Sequence, residues 1–310
     1  MLYVLRRLLQ AVPTLFLVIA ASFFLMRLAP GGPFDLERPL PKASMDNLAR
    51  IYGLDQPLAL QFARYLGSLL RGDFGPSFSF RDLTVVELFA RGLPVSMTLG
   101  ALALMVALVC GIGLGALAAF RRGGFWDRTS GLLAGASLAV PSFVVAPLLQ
   151  IVFGLTLRWL PVGGWEGGAP GHLVLPVITL AVPQIGSIAR LTRTALVETL
   201  NAQHVRTQRA MGLPPARIAR HALRAALIPV VAILGPTAAG LLTGSVVVET
   251  IFGLPGIGRY FVDGALNRDY TLVMGTVVLV AVLVMILNLV GDVVAALLDP
   301  RARQRARLGR

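Results

Sequence analysis

The composition of this 310-residue chain is that of a membrane protein. Hydrophobic residues make up 56% of it and charged residues 14%, whereas a soluble globular chain carries roughly 25% charged residues. The formal charge of +13 would suggest nucleic acid as a partner, but the basic residues, all arginine except Lys42, cluster beside apolar runs, where the positive-inside rule alone predicts them. We therefore exclude nucleic acid, and the single cysteine, Cys110, excludes a disulfide framework and a cysteine zinc site.

Six apolar runs are long enough to cross about 30 Å of hydrocarbon as helices. The first, residues 9–28, is longer than a signal-peptide core and ends at Arg27 rather than at a small-residue cleavage site, so we expect it to remain as a transmembrane helix. The others are residues 95–120, 131–157, 173–191, 227–248 and 271–298. We predict an all-α membrane protein with six transmembrane helices.

The charges of the connecting segments indicate an orientation. Residues 121–130, 190–226 and 299–310 carry net charges of +2, +6 and +4, whereas residues 30–93 carry zero and residues 249–270 have two arginines against three acids. Arginine-rich loops stay on the cytoplasmic side. We therefore expect cytoplasmic N and C termini.

The domain order follows from these assignments. Residues 1–29 form an N-terminal segment with the first helix, and residues 30–94 form an extracytoplasmic segment. Residues 95–298 form a five-helix core with a cytoplasmic loop at 194–226, and residues 299–310 form a cytoplasmic tail.

The extracytoplasmic segment is predicted to be a small helical cap. Glycine and proline clusters punctuate it at residues 30–33 and 72–76. Between them, apolar side chains recur at helical spacing, at Leu58, Leu60, Phe62, Ala63, Leu66 and Leu69. Because the segment is too short to bury a large core, we expect it to lean on the membrane helices or on a partner.

The cytoplasmic loop combines dense positive charge with helical potential. Residues 203–211 can form a short helix that Gly212 ends and Pro214 prevents from continuing, and a second helix can start at Pro215 and lead into the fifth run. Two short helices joined by a glycine turn are typical of a docking surface. A basic loop that only touches lipid head groups has the same charge, so charge alone does not separate the two.

The chain has few side chains that could act in catalysis or bind a metal. Lys42 lies in the segment predicted outside, so it cannot serve a nucleotide-binding P-loop, and His172, His204 and His221 are far apart without ligand spacing. Asp292, near the end of the last run, is interpreted as a polar contact within the chain or with a neighbouring helix, with a role in the transport path as the alternative. We predict no catalytic and no metal-binding residue.

Small residues four apart occur three times within the apolar runs and favour close helix packing. The pairs are Gly111 and Gly115, Gly131 and Gly135, and Gly240 and Gly244. The first pair also resembles a dinucleotide fingerprint, but no strand precedes it.

A turn follows the fifth run, where residues 252–258 hold three glycines and Pro255. Irregular backbone at membrane depth is tolerated only where protein or a water-filled cavity shields it, so we expect this turn near the mouth of a pathway, with a plain interfacial turn as the alternative. The predicted pathway and gate residues are Glu249, Phe252, Pro255, Gly256 and Gly258, with the hydroxyls of Ser142, Thr243 and Ser245. Each hydroxyl could equally bond its own helix. Cysteines at Leu254 or Ile257 are expected to react from outside.

The cytoplasmic loop resembles the coupling loop of binding-protein-dependent ABC importers. The residues that carry this resemblance are Arg206, Thr207, Arg209, Ala210, Gly212, Leu213, Arg220 and His221, and they look like the peptide and nickel branch of that family. Further stretches are similar to the B-type permease subunits of oligopeptide importers, namely residues 72–77, 141–147, 249–258 and 264–270, and Asp299-Pro300.

The resemblance implies a type I importer fold in a bacterial inner membrane. It implies that the eight loop residues contact an ATPase, and that the partners are a homologous second permease, two ABC ATPases that bind ATP and Mg²⁺, an extracytoplasmic peptide-binding protein, peptide and membrane lipid. This chain would hold no cofactor and would move oligopeptides or dipeptides, with nickel chelates or glutathione as alternative solutes.

Two other classes of function compete with this interpretation. A channel or ion-coupled transporter is disfavoured because the runs lack buried charges and two obvious repeats. A membrane-embedded enzyme would need a nucleophile, a base and an orienting group, and the sequence offers no such set.

Overall fold

The computed structural model of this protein describes residues 2–28, 55–80 and 82–298. The glycine-proline cluster at 30–33, Lys42 and the tail from Asp299 lie outside the described residues. Within them the chain is helical, and the extended pairing consists of an isolated bridge between Pro76 and Thr84.

The helices are numbered here in chain order. They are α1 (Leu2–Leu28), α2 (Leu58–Leu70), α3 (Val85–Phe120), α4 (Phe125–Ala139), α5 (Ser142–Leu149), α6 (Pro170–Asn201), α7 (Gln203–Ala210), α8 (Pro215–Ala232), α9 (Leu234–Phe252), α10 (Ile257–Leu266) and α11 (Tyr270–Leu298). A π-helical turn, Gln150–Thr156, continues α5, and a 3₁₀ turn spans Glu166–Gly168.

Five of the described helices, α1, α3, α6, α9 and α11, are long and apolar enough to cross a membrane. The pair α4 and α5 passes the same test together but is bent by 102°. The prediction of six spans therefore holds when this bent pair crosses the membrane once.

The third predicted run is not one continuous helix. Helix α4 ends at Ala139, and Val140 adopts an extended conformation with ψ 117° before Pro141. A residue that precedes proline is driven out of the helical region by the proline ring. The break is thus encoded by Pro141, which the prediction of an unbroken span passed over.

The second and fifth runs also have different boundaries from those predicted. Helix α3 starts at Val85 rather than Val95, because Thr84 N donates to Glu87 Oε2 at 2.8 Å and Glu87 N donates to Thr84 Oγ1 at 3.3 Å, which is a capping box. Pro94 lies inside the helix. Because 36 residues are more than one span needs, the membrane boundary near Val95 stays a prediction. The fifth run is divided at Ile233, where Pro236 has no N–H to continue the bonding of α8 into α9.

One compact unit comprises residues 1–95 and 255–283. Its core contains Val85, Leu88, Phe89, Ile257 and Leu272. Helix α2 appears where the amphipathic period predicted it.

The contacts of α2 within this unit are aromatic. Phe62 packs against Phe16, Phe23 and Phe24 of α1, and Tyr65 stacks on Phe23 with ring centroids 5.9 Å apart. Burial raises the pKa of the Tyr65 hydroxyl. The predicted cap therefore leans on a membrane helix.

The other compact unit comprises residues 96–254 and 284–310, and in it α6 packs against α4 and α8. A Cβ at Gly115 would lie 2.5 Å from Ala189 O of α6, and one at Gly111 would lie 2.8 Å from Ile188. The predicted close approach is confirmed for this pair. The glycines of the other two pairs have no described atom within 4 Å of a Cβ position, so they do not pack closely inside this chain.

Candidate coupling surface and outer turn

The helix-turn-helix predicted in the cytoplasmic loop is present. Helix α7 starts after Ala202, which is extended with ψ 151°, and ends before Gly212, which has φ +73°. The turn is closed by Leu213 N, which donates to Gln208 O at 3.1 Å. Pro214 is extended and α8 begins at Pro215. Since φ near +70° favours glycine, the glycine and the two prolines fix this geometry locally.

The side chains of α7 point mostly away from the chain. Val205 is fully buried and anchors the helix, whereas Arg206, Thr207, Arg209 and Ala210 are exposed. Among the described residues, no acidic side chain forms an ion pair with either arginine of α7. These guanidinium groups are therefore available to another molecule.

The helix ends beneath α7 pack through small side chains. Ala119 of α3, Ala195 and Leu196 of α6, and Ala222 and Ala226 of α8 form a buried cluster. Beside them lies an open groove of about 730 Å³ with lining that includes Phe120, Arg122, Arg209, Leu213 and Ile218. Of the other predicted contact residues, Gly212 and Arg220 are exposed, and Leu213 and His221 are half-buried. The eight predicted contact residues thus lie on one continuous segment, and the groove lies beside it.

An ion pair that the sequence did not indicate joins the first turn of α4 to α6. Arg193 donates to both carboxylate oxygens of Asp127, with Nη2 to Oδ2 at 2.9 Å, and Gly123 N donates to the same Oδ2 at 2.9 Å. A two-pronged arginine contact of this kind fixes orientation as well as distance. The available signal was one acid in an otherwise basic loop.

The outer turn begins where α9 ends. Gly253 adopts φ +65°, and Leu254 N donates to Glu249 O at 2.8 Å. The side chains of Glu249 and Phe252 are buried, at 0% and 2% exposure. After the turn, Gly256 is extended and precedes α10. The turn is thus a glycine-capped helix end followed directly by a new helix start.

Residues 158–169 bond to the end of α9, which the sequence did not indicate. Gly164 N donates to Phe252 O at 2.8 Å, and Gln150 Nε2 donates to Val162 O at 2.7 Å and to Ile251 O at 3.4 Å. A Cβ at position 163 would lie 2.5 Å from Phe252 O. Only glycine permits this approach.

His172 contacts residues 163 and 166 of the same segment. Its Nδ1 lies 2.8 Å from Gly163 O, and its Nε2 lies 3.3 Å from Glu166. These contacts account for this histidine without a metal.

The expected accessibility of the outer turn is wrong for two side chains. Leu254 is 0% and Ile257 2% exposed, and Ile257, the first residue of α10, packs in the core cluster with Leu272. Gly256 and Gly258 are also buried, Pro255 is half-buried, and Gly253 and Arg259 are exposed.

The three predicted pathway hydroxyls differ in their surroundings. Thr243 Oγ1 donates to Ala239 O at 3.2 Å, and Ser245 Oγ donates to Leu242 O at 2.7 Å while Ser245 is 1% exposed. Both hydroxyls therefore bond to their own helix, which the sequence analysis gave as the alternative to a pathway role. Ser142 is half-buried at the start of α5. A pathway role for each of these residues stays a prediction.

A buried carboxylate connects two of the motifs that carried the resemblance. Asp269 is 0% exposed. Its Oδ2 accepts hydrogen bonds from Ser77 Oγ at 2.5 Å, Phe78 N at 2.9 Å and Ser79 N at 3.0 Å, and its Oδ1 accepts one from Leu272 N at 3.0 Å. This Asp269 knot holds the Gly72–Ser77 motif against the start of α11. The motif's role here is structural.

The family model of the binding-protein-dependent transport system inner membrane component matches residues 111–304. This match covers the coupling loop, the outer turn and α11. The chain belongs to this family, and it is a multi-pass protein of the bacterial inner membrane.

Relatives of this chain match it almost from end to end. It is 49% identical over 97% of its length to the oligopeptide transport system permease protein OppB of Salmonella typhimurium, and it covers 99% of that protein. It is 41% identical to the dipeptide transport system permease protein DppB of Bacillus subtilis, with 97% of each chain covered. The family and these names confirm the prediction of a permease subunit of an ABC importer rather than an enzyme.

A solved structure supports the fold. A chain of the MetNI methionine ABC transporter in an inward-facing conformation matches with a TM-score of 0.59 and 21% identity, over 69% of this chain and 97% of that chain. The predicted type I importer fold is confirmed.

Proposed function

We propose that this chain is the oligopeptide-conducting permease subunit of an ATP-driven importer. The observation that carries the proposal is the 49% identity to the OppB protein over 97% of the chain. Its complex would contain a homologous second permease, two ABC ATPases that bind ATP and Mg²⁺, and an extracytoplasmic peptide-binding protein. Both termini would lie in the cytoplasm, in keeping with the arginine-rich segments at 121–130 and 190–226.

In this proposal α7 and its glycine turn form the contact with an ATPase. The exposed guanidinium groups of Arg206 and Arg209 suit carboxylates on a partner, because charged hydrogen bonds of this kind add orientation as well as energy. Val205 is buried beneath them. Movement of a docked ATPase would therefore be transmitted to α6 and α8, which flank α7 in the chain.

The conduit is proposed to be permissive toward peptide side chains. Thr243 and Ser245 already bond their own helix, so neither hydroxyl is committed to one substrate group. Selectivity would then reside mainly in the binding protein. One substitution in the pathway that switched the imported peptide class would contradict this part of the proposal.

Uptake by the reconstituted complex tests the substrate class. The complete complex in proteoliposomes, with ATP inside and binding protein outside, should accumulate labelled tri- to pentapeptides. Nickel chelates and glutathione serve as competitors. Accumulation of either of these solutes without peptide uptake would assign the complex to the alternative substrate.

A further inference from the structure

Two adjoining cavities lie beside α4 and α6 and differ in chemistry. One, of about 320 Å³, is lined by Asp127, Arg128, Arg190 and Arg193 together with small residues. The other is a groove of about 360 Å³ lined mostly by aliphatic side chains. The two cavities share Ser130, Ala134 and Ala189 in their linings, so a single elongated molecule could occupy both.

The charged cavity retains uncompensated positive charge. The Asp127 carboxylate is taken up by Arg193 and by Gly123 N. Arg128 and Arg190 are exposed, and neither forms an ion pair with an acidic side chain in the part of the chain that the structure describes. Two guanidinium groups therefore face an open cavity, which suits a phosphate group.

The groove carries the matching apolar surface. Its lining includes Leu133, Val140, Val145, Val182 and Ile185, and Leu133 is 54% exposed. Polar groups are few in this groove, so an acyl chain bound there would contact an apolar surface.

Aromatic side chains mark the start of α4, next to the charged cavity. Phe125 is 73% and Trp126 is 43% exposed. Tryptophan is enriched at the level of lipid head groups, and the ring of Phe125 lies beside Trp126 with the two centroids 5.8 Å apart. The charged cavity is therefore expected at head-group depth, with the groove extending into the hydrocarbon.

From these observations we propose that this chain binds an anionic phospholipid, its phosphate between Arg128 and Arg190 and one acyl chain along the groove. The order of surfaces, two cations, an aromatic border and an aliphatic groove, matches the order of groups in such a lipid. A free phosphate would use only the charged cavity. A helix of a partner subunit would use only the groove.

Native mass spectrometry of the detergent-purified complex, titrated with phosphatidylglycerol or phosphatidylcholine, tests this site. The wild-type complex should retain one phosphatidylglycerol more than the Arg128→Gln/Arg190→Gln variant, whose affinity for this lipid should fall about tenfold or more. The Arg121→Gln/Arg224→Gln variant removes the same charge from exposed positions outside both cavities and should behave as wild type.

Filling the groove tests the other half of the site. Ala136 is exposed and lines the groove, whereas Ala139 is exposed on the same helix and does not line it. Ala136→Phe should displace the lipid, and Ala139→Phe should not. Glycerol phosphate at millimolar concentration should not compete, because it lacks the acyl chain.

Three results would overturn the proposal. The first is equal retention of the two lipids by the wild-type complex. The second is unchanged retention in Arg128→Gln/Arg190→Gln and Ala136→Phe. The third is efficient photocrosslinking to the partner permease from a photoreactive residue placed at position 133, which would show that protein fills the groove.

Discussion

The Asp269 knot and helix α7 both contain residues that resemble the same family. The two groups of residues differ in whether contacts within this chain explain them. Asp269 is completely buried and accepts four hydrogen bonds from the chain itself. In α7 only Val205 is buried, and Arg206 and Arg209 face outward. The first motif is explained by the fold of this chain. The second is not, and we propose that its exposed residues serve a partner.

Removing the Asp269 carboxylate should have the largest effect on stability. Asp269→Ala leaves the buried Leu272 N and three half-buried donors, Ser77 Oγ, Phe78 N and Ser79 N, without their acceptor, and hydrogen bonds to a charged group are worth about 1.5–3 kcal/mol each. We expect the unfolding free energy to fall by at least about 3 kcal/mol, measured by the thermal midpoint of the purified complex.

Asp263→Ala is the matched control for that variant. Asp263 is half-exposed and pairs with Arg259 at 3.6 Å one turn away, a contact worth about 0.5 kcal/mol or less. If the two variants melted together, the Asp269 knot would not be what holds this motif.

Close helix packing in the other compact unit can be tested at two glycines of α3. Gly115→Ala places a Cβ 2.5 Å from Ala189 O, whereas Gly113→Ala meets nothing within 4 Å. Overpacking should cost Gly115→Ala about 1–3 kcal/mol, while Gly113→Ala should stay within about 1 kcal/mol of wild type. Equal melting temperatures for the two variants would contradict the packing of α3 on α6.

The partner-facing residues should behave in the opposite way, with stability kept and transport lost. Arg206→Ala/Arg209→Ala should leave the melting temperature unchanged and lower the import of every peptide by at least about tenfold, since even one lost charged hydrogen bond is worth about 1.5–3 kcal/mol. Arg71→Ala, also an exposed arginine, is the control. Loss of import for some peptides and not others would indicate a substrate contact instead.

Thiol labelling can distinguish exposed from buried residues at the outer turn, and we expect these substitutions to have little effect on transport. In a Cys110→Ser background, Arg259→Cys should react with an impermeant maleimide from outside, because Arg259 is exposed. Leu254→Cys should stay unlabelled, because Leu254 is 0% exposed. Labelling of Arg259→Cys from the cytoplasm alone would reverse the proposed topology.

Features with a local signal were predicted from the sequence. The C-terminal end of α7 follows from Gly212 and Pro214, and α2 follows from the spacing of its apolar residues. The start of α3 has an equally local signal in Thr84 and Glu87, which the predicted run from residue 95 did not include.

Long-range contacts of the site could not be predicted in this way. Ser77 and Asp269 are 192 residues apart, and Gln150 reaches Ile251. A side chain that accepts or donates across such a distance leaves no periodic or spacing pattern in one sequence. The Arg193–Asp127 pair was hidden for the same reason.

In the proposed function, the segment around α7 transmits ATPase movement through a turn that Gly212 makes possible. A Cβ at Gly212 would meet no neighbour within 4 Å, and φ is +73°, so a substitution acts through backbone conformation alone. The measurement is ATP hydrolysis and peptide import by proteoliposomes that contain Gly212→Val or Gly212→Asn. Asparagine tolerates the left-handed region far better than a β-branched residue. We expect Gly212→Val to insert normally but to lose import, and Gly212→Asn to retain most of it. Wild-type hydrolysis and import in Gly212→Val would show that coupling does not depend on this turn.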